Sequence, residues 1–262
     1  NTGVDNHDYS DPALNAPNGD TDAGASVSKT GWGDIDLSED GKTLYAINLF
    51  DKMIYAIPVN ETGGAITAGT AITIDFPDEV KNSLCNSNDW APGGVKVYKG
   101  FVYVSVMCTA ETSQDANDLK YLVYKFPVGA STPFTQVVNM ANYARPITLF
   151  DHAWHPWLTT TALIDGTPGD TGDPNRYIYP QPWVSDIEFD DMGRIYLGIR
   201  NRTGDMRASY NDAGQPAYEY GDTPMGTPNL DGTFTMQANA NTGQNPPYEF
   251  IDDLSTSGSE HP

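Results

Sequence analysis

One unit occurs twice in this chain of 262 residues, and it constrains the fold more than any other feature. Residues 31–59 read GWGDIDLSEDGKTLYAINLFDKMIYAIPV, and the pattern returns from Pro182 as PWVSDIEFDDMGRIYLGIRNRTGDM. Each copy places a Trp two or three residues before Asp-Ile, then an alternating strand, an acidic turn closed by Gly, and an apolar strand containing Tyr. Alternation with a period of two, interrupted by Gly-closed turns, specifies antiparallel strands. A strand, turn, strand, turn, strand unit of this kind reads as one blade of a β-propeller.

The chain between the copies carries the same grammar. In the first unit TLYAINLF makes a second strand, MIYAIPV (53–59) a third, and AITIDF around residue 74 a fourth. VKVYKG (95–100) and FVYVSVMC (101–108) predict a hairpin about Lys99-Gly100, and YLVYKFPV (121–128) and PFTQVVNM (133–140) extend it into a second blade. Those apolar runs are nearly continuous, as expected where both faces of a blade meet neighbours. No long apolar stripe has helical spacing, so helix content should be small. The expected fold is all-β, a β-propeller with long loops in which three to five blades are recognisable. Closed rings have roughly 4 to 8, so the ring is not seen to close in this chain. Residues 1–30 read as an extended lead-in and residues 31–262 as the propeller, with a loop insertion at 145–181 and an irregular tail at 207–262. Asp34 and Asp186, equivalent in the two copies, are 152 residues apart. That is about three blade lengths at roughly 40 to 50 residues each.

Fourteen basic residues against 35 acidic ones leave a net charge of −21, which argues against nucleic acid or an anionic membrane surface as partner. The same excess suits plain solubility, or a medium in which calcium takes carboxylate oxygens. No apolar run is long enough to span a membrane. The chain starts at Asn1 without Met or an apolar leader, which fits processing or a place within something longer. Cys85 and Cys108 are the two cysteines, outside any CxxC or Cys/His spacing. They suit either one structural disulfide in an oxidising compartment or two unrelated buried thiols.

Candidate binding residues are mostly carboxylates. Asp34 and Asp186 begin the innermost strands of their blades, where carboxylates converge on a channel and could hold calcium; the alternative is that each caps backbone N–H groups at its own turn. Asp165, Asp170 and Asp173 form a second calcium candidate, stronger than the Asn18, Asp20, Asp22 loop, although neither has EF-hand spacing. His152 and His155 could ligate a transition metal or pack with Trp154 and Trp157. Arg200, Arg202 and Asp205 could meet an anionic or sugar ligand or form an internal salt bridge. Asn60 and Asn201 match the N-glycosylation acceptor pattern. No G-x-S-x-G, P-loop or ordered Ser/His/Asp set points to hydrolysis or phosphoryl transfer.

The segments GWGDIDLSEDGKTLYAINL, DWAPGGVKVYKGFVYVSVMCTAE and PWVSDIEFDDMGRIYLGIRNRTGD, in that order, resemble the propeller-type region of large secreted bacterial surface proteins akin to serine-aspartate-repeat adhesins. The resemblance covers roughly residues 31–206 and departs at Asn201, where the family pattern has Asp. It implies a Cys before the Asp-Trp motif and another at the end of the following hairpin, matching a bridge between Cys85 and Cys108. It also implies an extracellular or cell-surface location. The resulting expectation is a non-catalytic propeller module for adhesion or extracellular structural assembly, stabilised by calcium and a disulfide. Its partners would be extracellular proteins, glycans or further copies of itself. The alternatives are a calcium-dependent propeller hydrolase or lactonase using Asp34 and Asp186, and a repeating subunit of a filament or surface layer.

Overall fold

The computed structural model describes residues 3, 23–86, 88–141, 143, 154–159, 179–206 and 221–237. The described chain is all-β. The first sheet has five antiparallel strands: β1 (Trp32–Leu37), β2 (Thr43–Asn48), β3 (Met53–Thr62), β4 (Ala65–Ala68) and β5 (Ile72–Asp75), with β4 and β5 both pairing with β3. The second runs β6 (Trp90–Tyr98), β7 (Phe101–Cys108), β8 (Lys120–Pro127) and β9 (Thr135–Ala141) in sequential order. The third runs β10 (Pro182–Phe189), β11 (Ile195–Asn201), β12 (Met225–Pro228) and β13 (Phe234–Met236). Helix among the described residues is confined to single turns of five residues or fewer.

Local chemistry explains the meanders. After β1, Ser38 Oγ donates to Asp40 Oδ1 at 2.7 Å and accepts from the Thr43 N–H at 2.8 Å, while Gly41 takes the left-handed φ of 70° that closes the turn. After β10, Asp190 Oδ1 receives the N–H groups of Met192 and Arg194 at 3.0 and 2.9 Å, and Gly193 plays the part of Gly41 with φ of 78°. The two acidic turns of the repeated unit are thus one device built twice. Between β6 and β7, Lys99 and Gly100 both have positive φ, matching the predicted two-residue hairpin.

The second sheet lies between the other two. Its β7 residues Val102, Val104 and Val106 join Tyr45, Ile47, Ile54 and Ile74 of the first sheet in one core. The alternate residues Tyr103 and Met107 join Ile187, Ile195, Leu197 and Ile199 of the third sheet in another. This accounts for the near-continuous apolar run of β7: successive side chains feed different cores. Each fully buried Val, Ile or Leu contributes about 1.5–3 kcal/mol. Cys85 and Cys108 form a disulfide with a sequence separation of 23, tying the approach to β6 to the end of β7. A closed loop of that length stabilises by about 3 kcal/mol in the chain-entropy account.

The sheets correct the spacing argument. Asp34 lies in the first sheet and Asp186 in the third, so their separation covers two sheet-to-sheet steps among the described residues, not three. The excess length lies in the long connection between β9 and β10.

Candidate functional site

The first strands of the three sheets meet in one seam, β1 against β6 and β6 against β10, with β1 also approaching β10. All three carry a one-residue bulge at the same place. Trp32 and Ile35 pair with Asn48 and Ala46, Pro92 and Val95 with Val106 and Val104, and Val184 and Ile187 with Ile199 and Leu197. This register makes Asp34, Gly94 and Asp186 equivalent, and likewise Asp36, Lys96 and Glu188.

At the first junction, carboxylates do the work of a strand. Asp34 Oδ1 accepts from its own strand's Ile35 N–H at 2.8 Å, and Oδ2 accepts from the Val95 N–H of β6 at 2.9 Å. Asp36 repeats this with Leu37 at 2.9 Å and Val97 at 2.7 Å. Glu39 adds a third rung, accepting from the Lys99 N–H at 2.7 Å. The free edge of β6 is therefore satisfied by side chains of the acidic run that follows Trp32.

The second junction brings backbone against backbone. A Cβ on Gly93 would lie 1.9 Å from the Val184 carbonyl oxygen, and one on Gly94 would lie 2.9 Å from Asp186 Cα. The buried Ser105 Oγ accepts from the Gly94 N–H at 2.6 Å and donates to the Val184 carbonyl at 2.7 Å. The Trp183 indole N–H donates to the Pro92 carbonyl at 3.0 Å. Lys96 spans the seam, its ammonium 2.8 Å from Glu188 and 3.9 Å from Asp36.

The electrostatics follow from this crowding. Burial raises the Asp34 carboxyl above its ordinary value; the N–H bonds from Val95 and Ile35 oppose the rise, and the charges of Asp186 and Asp36 add to it. Burial raises Asp186 as well, reinforced by Glu188 and opposed by the Ile187 N–H and by Lys96. For Lys96 burial works against the charged form, but Glu188, Asp36 and Asp186 together hold its value above normal. Asp186 Oδ1 accepts from the Ile187 N–H at 2.8 Å, as Asp34 does from Ile35. Its second oxygen has no hydrogen-bond donor among the described residues.

The remaining sequence candidates fall in different places. Asp165, Asp170 and Asp173, the Asn18–Asp22 loop and His152 lie outside the described residues. His155 stacks on Tyr179 with ring centroids 4.3 Å apart, and Trp154 and Trp157 are buried. Arg200 pairs with Asp205 on the surface. Arg202 is fully buried, donating to the Val27 and Leu158 carbonyls and to Gln181 Oε1 at 2.9, 3.2 and 3.0 Å, with its guanidinium 4.4 Å from the Trp157 ring centroid. Desolvation pushes it down to about 9. It ties the start of β10 to the end of β11 and to residues ahead of β1, and presents nothing to a ligand. Asn201 is buried too, its Oδ1 accepting from the Gln181 and Thr203 N–H groups, whereas Asn60 is exposed in β3.

Among the described residues no group of three or more His, Cys, Asp or Glu side chains is arranged to hold a metal ion. Gly93, Gly94, Ser105 and Lys96 were not among the residues singled out from the sequence. The signal was the Gly-Gly pair inside an otherwise strand-like run, which marks a close backbone approach. No protein-family model matches the chain, and no curated protein matches it.

Proposed function

We propose that this chain is a non-catalytic β-propeller module of a secreted or cell-surface protein, serving adhesion or extracellular structural assembly. The observation that supports it best is the seam: consecutive antiparallel meanders meet through equivalent, equally bulged first strands. Side-by-side meanders with their first strands innermost are the construction principle of a propeller. The Cys85–Cys108 bridge suits an oxidising compartment, and the net charge of −21 suits a soluble extracellular surface. The resemblance to propeller regions of bacterial surface proteins points the same way.

The seam favours binding over catalysis. Asp34 and Asp36 each accept a backbone N–H group on both oxygens, which turns their carboxylates toward the β6 edge. Lys96 already supplies positive charge between Asp36 and Glu188. Calcium in this proposal has two candidate places, Asp34 and Asp186 at the seam and the acidic set Asp165, Asp170 and Asp173, which lies outside the described residues.

The test is to immobilise the purified chain and probe it with extracellular matrix proteins and bacterial surface polysaccharides, alongside a panel of chromogenic esters, lactones and glycosides. Saturable binding without turnover is expected. Turnover abolished by Asp186→Asn would overturn the proposal in favour of a hydrolase.

A further inference from the structure

Both formed junctions join the front of one sheet, meaning the face that carries Asp34 or Gly94, to the back of the next. Each sheet back is apolar along its first strand. Val95 and Val97 are 1% and 7% exposed where the second sheet meets the first, and Ile187 is 0% exposed where the third meets the second. The equivalent residues on the back of the first sheet are Ile35 and Leu37, and these are 57% and 45% exposed. Trp32, on the same face and edge-on to Tyr55 at 5.5 Å, is 49% exposed. Among the described residues the back of the first sheet is therefore uncovered along its first strand.

Among the described residues the front of the third sheet is uncovered along its first strand, where Asp186 and Glu188 are exposed. Asp186 stands there in the register position of Asp34, with Oδ1 on its own strand's N–H and Oδ2 without a donor among the described residues. In Asp34 that second oxygen is the group that meets the edge of the next first strand. The two open faces are therefore of the complementary kinds that join twice within the chain.

We propose that two copies of this chain close head to tail, the front of each third sheet docking on the back of the other's first sheet, to form a six-sheet ring. This rests on the propeller reading above. Front-to-back contact is heterologous, and a heterologous contact stays finite only if its rotation closes. Two sets of the three described sheets give a ring within the roughly four to eight blades of closed propellers. Closure covers Trp32, Ile35 and Leu37 in both copies and leaves no first strand at an end of the series.

Sedimentation velocity on the full chain across the micromolar range tests this, with acrylamide quenching of tryptophan fluorescence in parallel. The expected species has twice the 28.5 kDa chain mass. Trp32 is the exposed indole, the other four being 8% exposed or less, so the quenchable fraction should fall as the dimer forms. Substituting Ile35→Asp and Leu37→Asp together, at positions already exposed to solvent, should give a monomer with unchanged circular dichroism and an intact disulfide. A monomer at every concentration, open polymers of increasing mass, or a dimer that survives the double substitution would each overturn the ring. A wild-type monomer in which Gly93→Ala is still strongly destabilising overturns the ring alone and leaves the side-by-side packing of the sheets intact.

Discussion

The two junctions of the seam have the same topology and opposite chemistry. Between the first and second sheets, three carboxylates from the β1 side reach the β6 edge and its hairpin and hydrogen-bond to them, while Gly33 lets the backbones come close opposite Gly93. Between the second and third, glycines remove the side chains and one buried hydroxyl links the two backbones. A repeated strand can thus be joined to its neighbour either by filling the gap with acceptors or by abolishing it. The first solution tolerates water and modest substitution, whereas the second depends on close packing.

The largest effect should come from putting a methyl group into the closed junction. Gly93→Ala places a Cβ 1.9 Å from the Val184 carbonyl oxygen, which only backbone movement can relieve. We expect a loss of about 3 kcal/mol or more in urea denaturation. Gly33→Ala at the first junction meets the Gly93 carbonyl oxygen at 2.9 Å and a movable Leu49 methyl at 3.0 Å, a milder clash that should cost about 1–2 kcal/mol. Equal losses at both sites would refute the contrast.

Removing one linking side chain from each junction comes next. Ser105→Ala strips a partner from the Gly94 N–H and from the Val184 carbonyl in a site closed to solvent, an expected loss of about 2 kcal/mol. Asp36→Ala frees the Val97 and Leu37 N–H groups where water can partly replace the carboxylate, about 1 kcal/mol, and Asp36→Asn, with one acceptor oxygen for two N–H donors, should recover only part of it.

The smallest effect is in pH dependence. Because the folded-state value of Asp186 lies above the ordinary 3.8, its charged form carries a penalty at neutral pH; the penalty is relieved as pH falls through the folded value and gone below 3.8. Asp186→Asn should therefore be more stable than the native chain at neutral pH, and the difference should shrink on acidification. Melting curves across that range check the sign. A gain that grows at low pH would show that Asp186 is stabilised as a carboxylate.

The legible parts of the fold were those with local rules. Alternation and Gly-closed turns located β1 to β3, β7 and β8 closely because strand pleat and left-handed turn residues act over a few positions. The start of β6 was hidden because Pro92, Gly93 and Gly94 interrupt the apolar alternation, although an edge strand tolerates Pro and the seam requires the glycines. β12 was missed for a related reason: Gly226 lets Met236 and Ile195 close over it, so its strand lacks the side chains that announce one. β4 went unrecognised because all four of its residues are exposed and carry no burial pattern.

The candidate site divides along the same line. Sequence alone placed Asp34 and Asp186 in equivalent positions on first strands, because a repeated local pattern produces a repeated register. Only the tertiary structure decided that Asp34 serves the edge of β6, that Arg202 and Asn201 turn inward, and that Lys96 stands between two acids. Each of those outcomes depends on which sheet face meets which. That choice is set by burial and close approach between segments far apart in the chain, which no local pattern encodes.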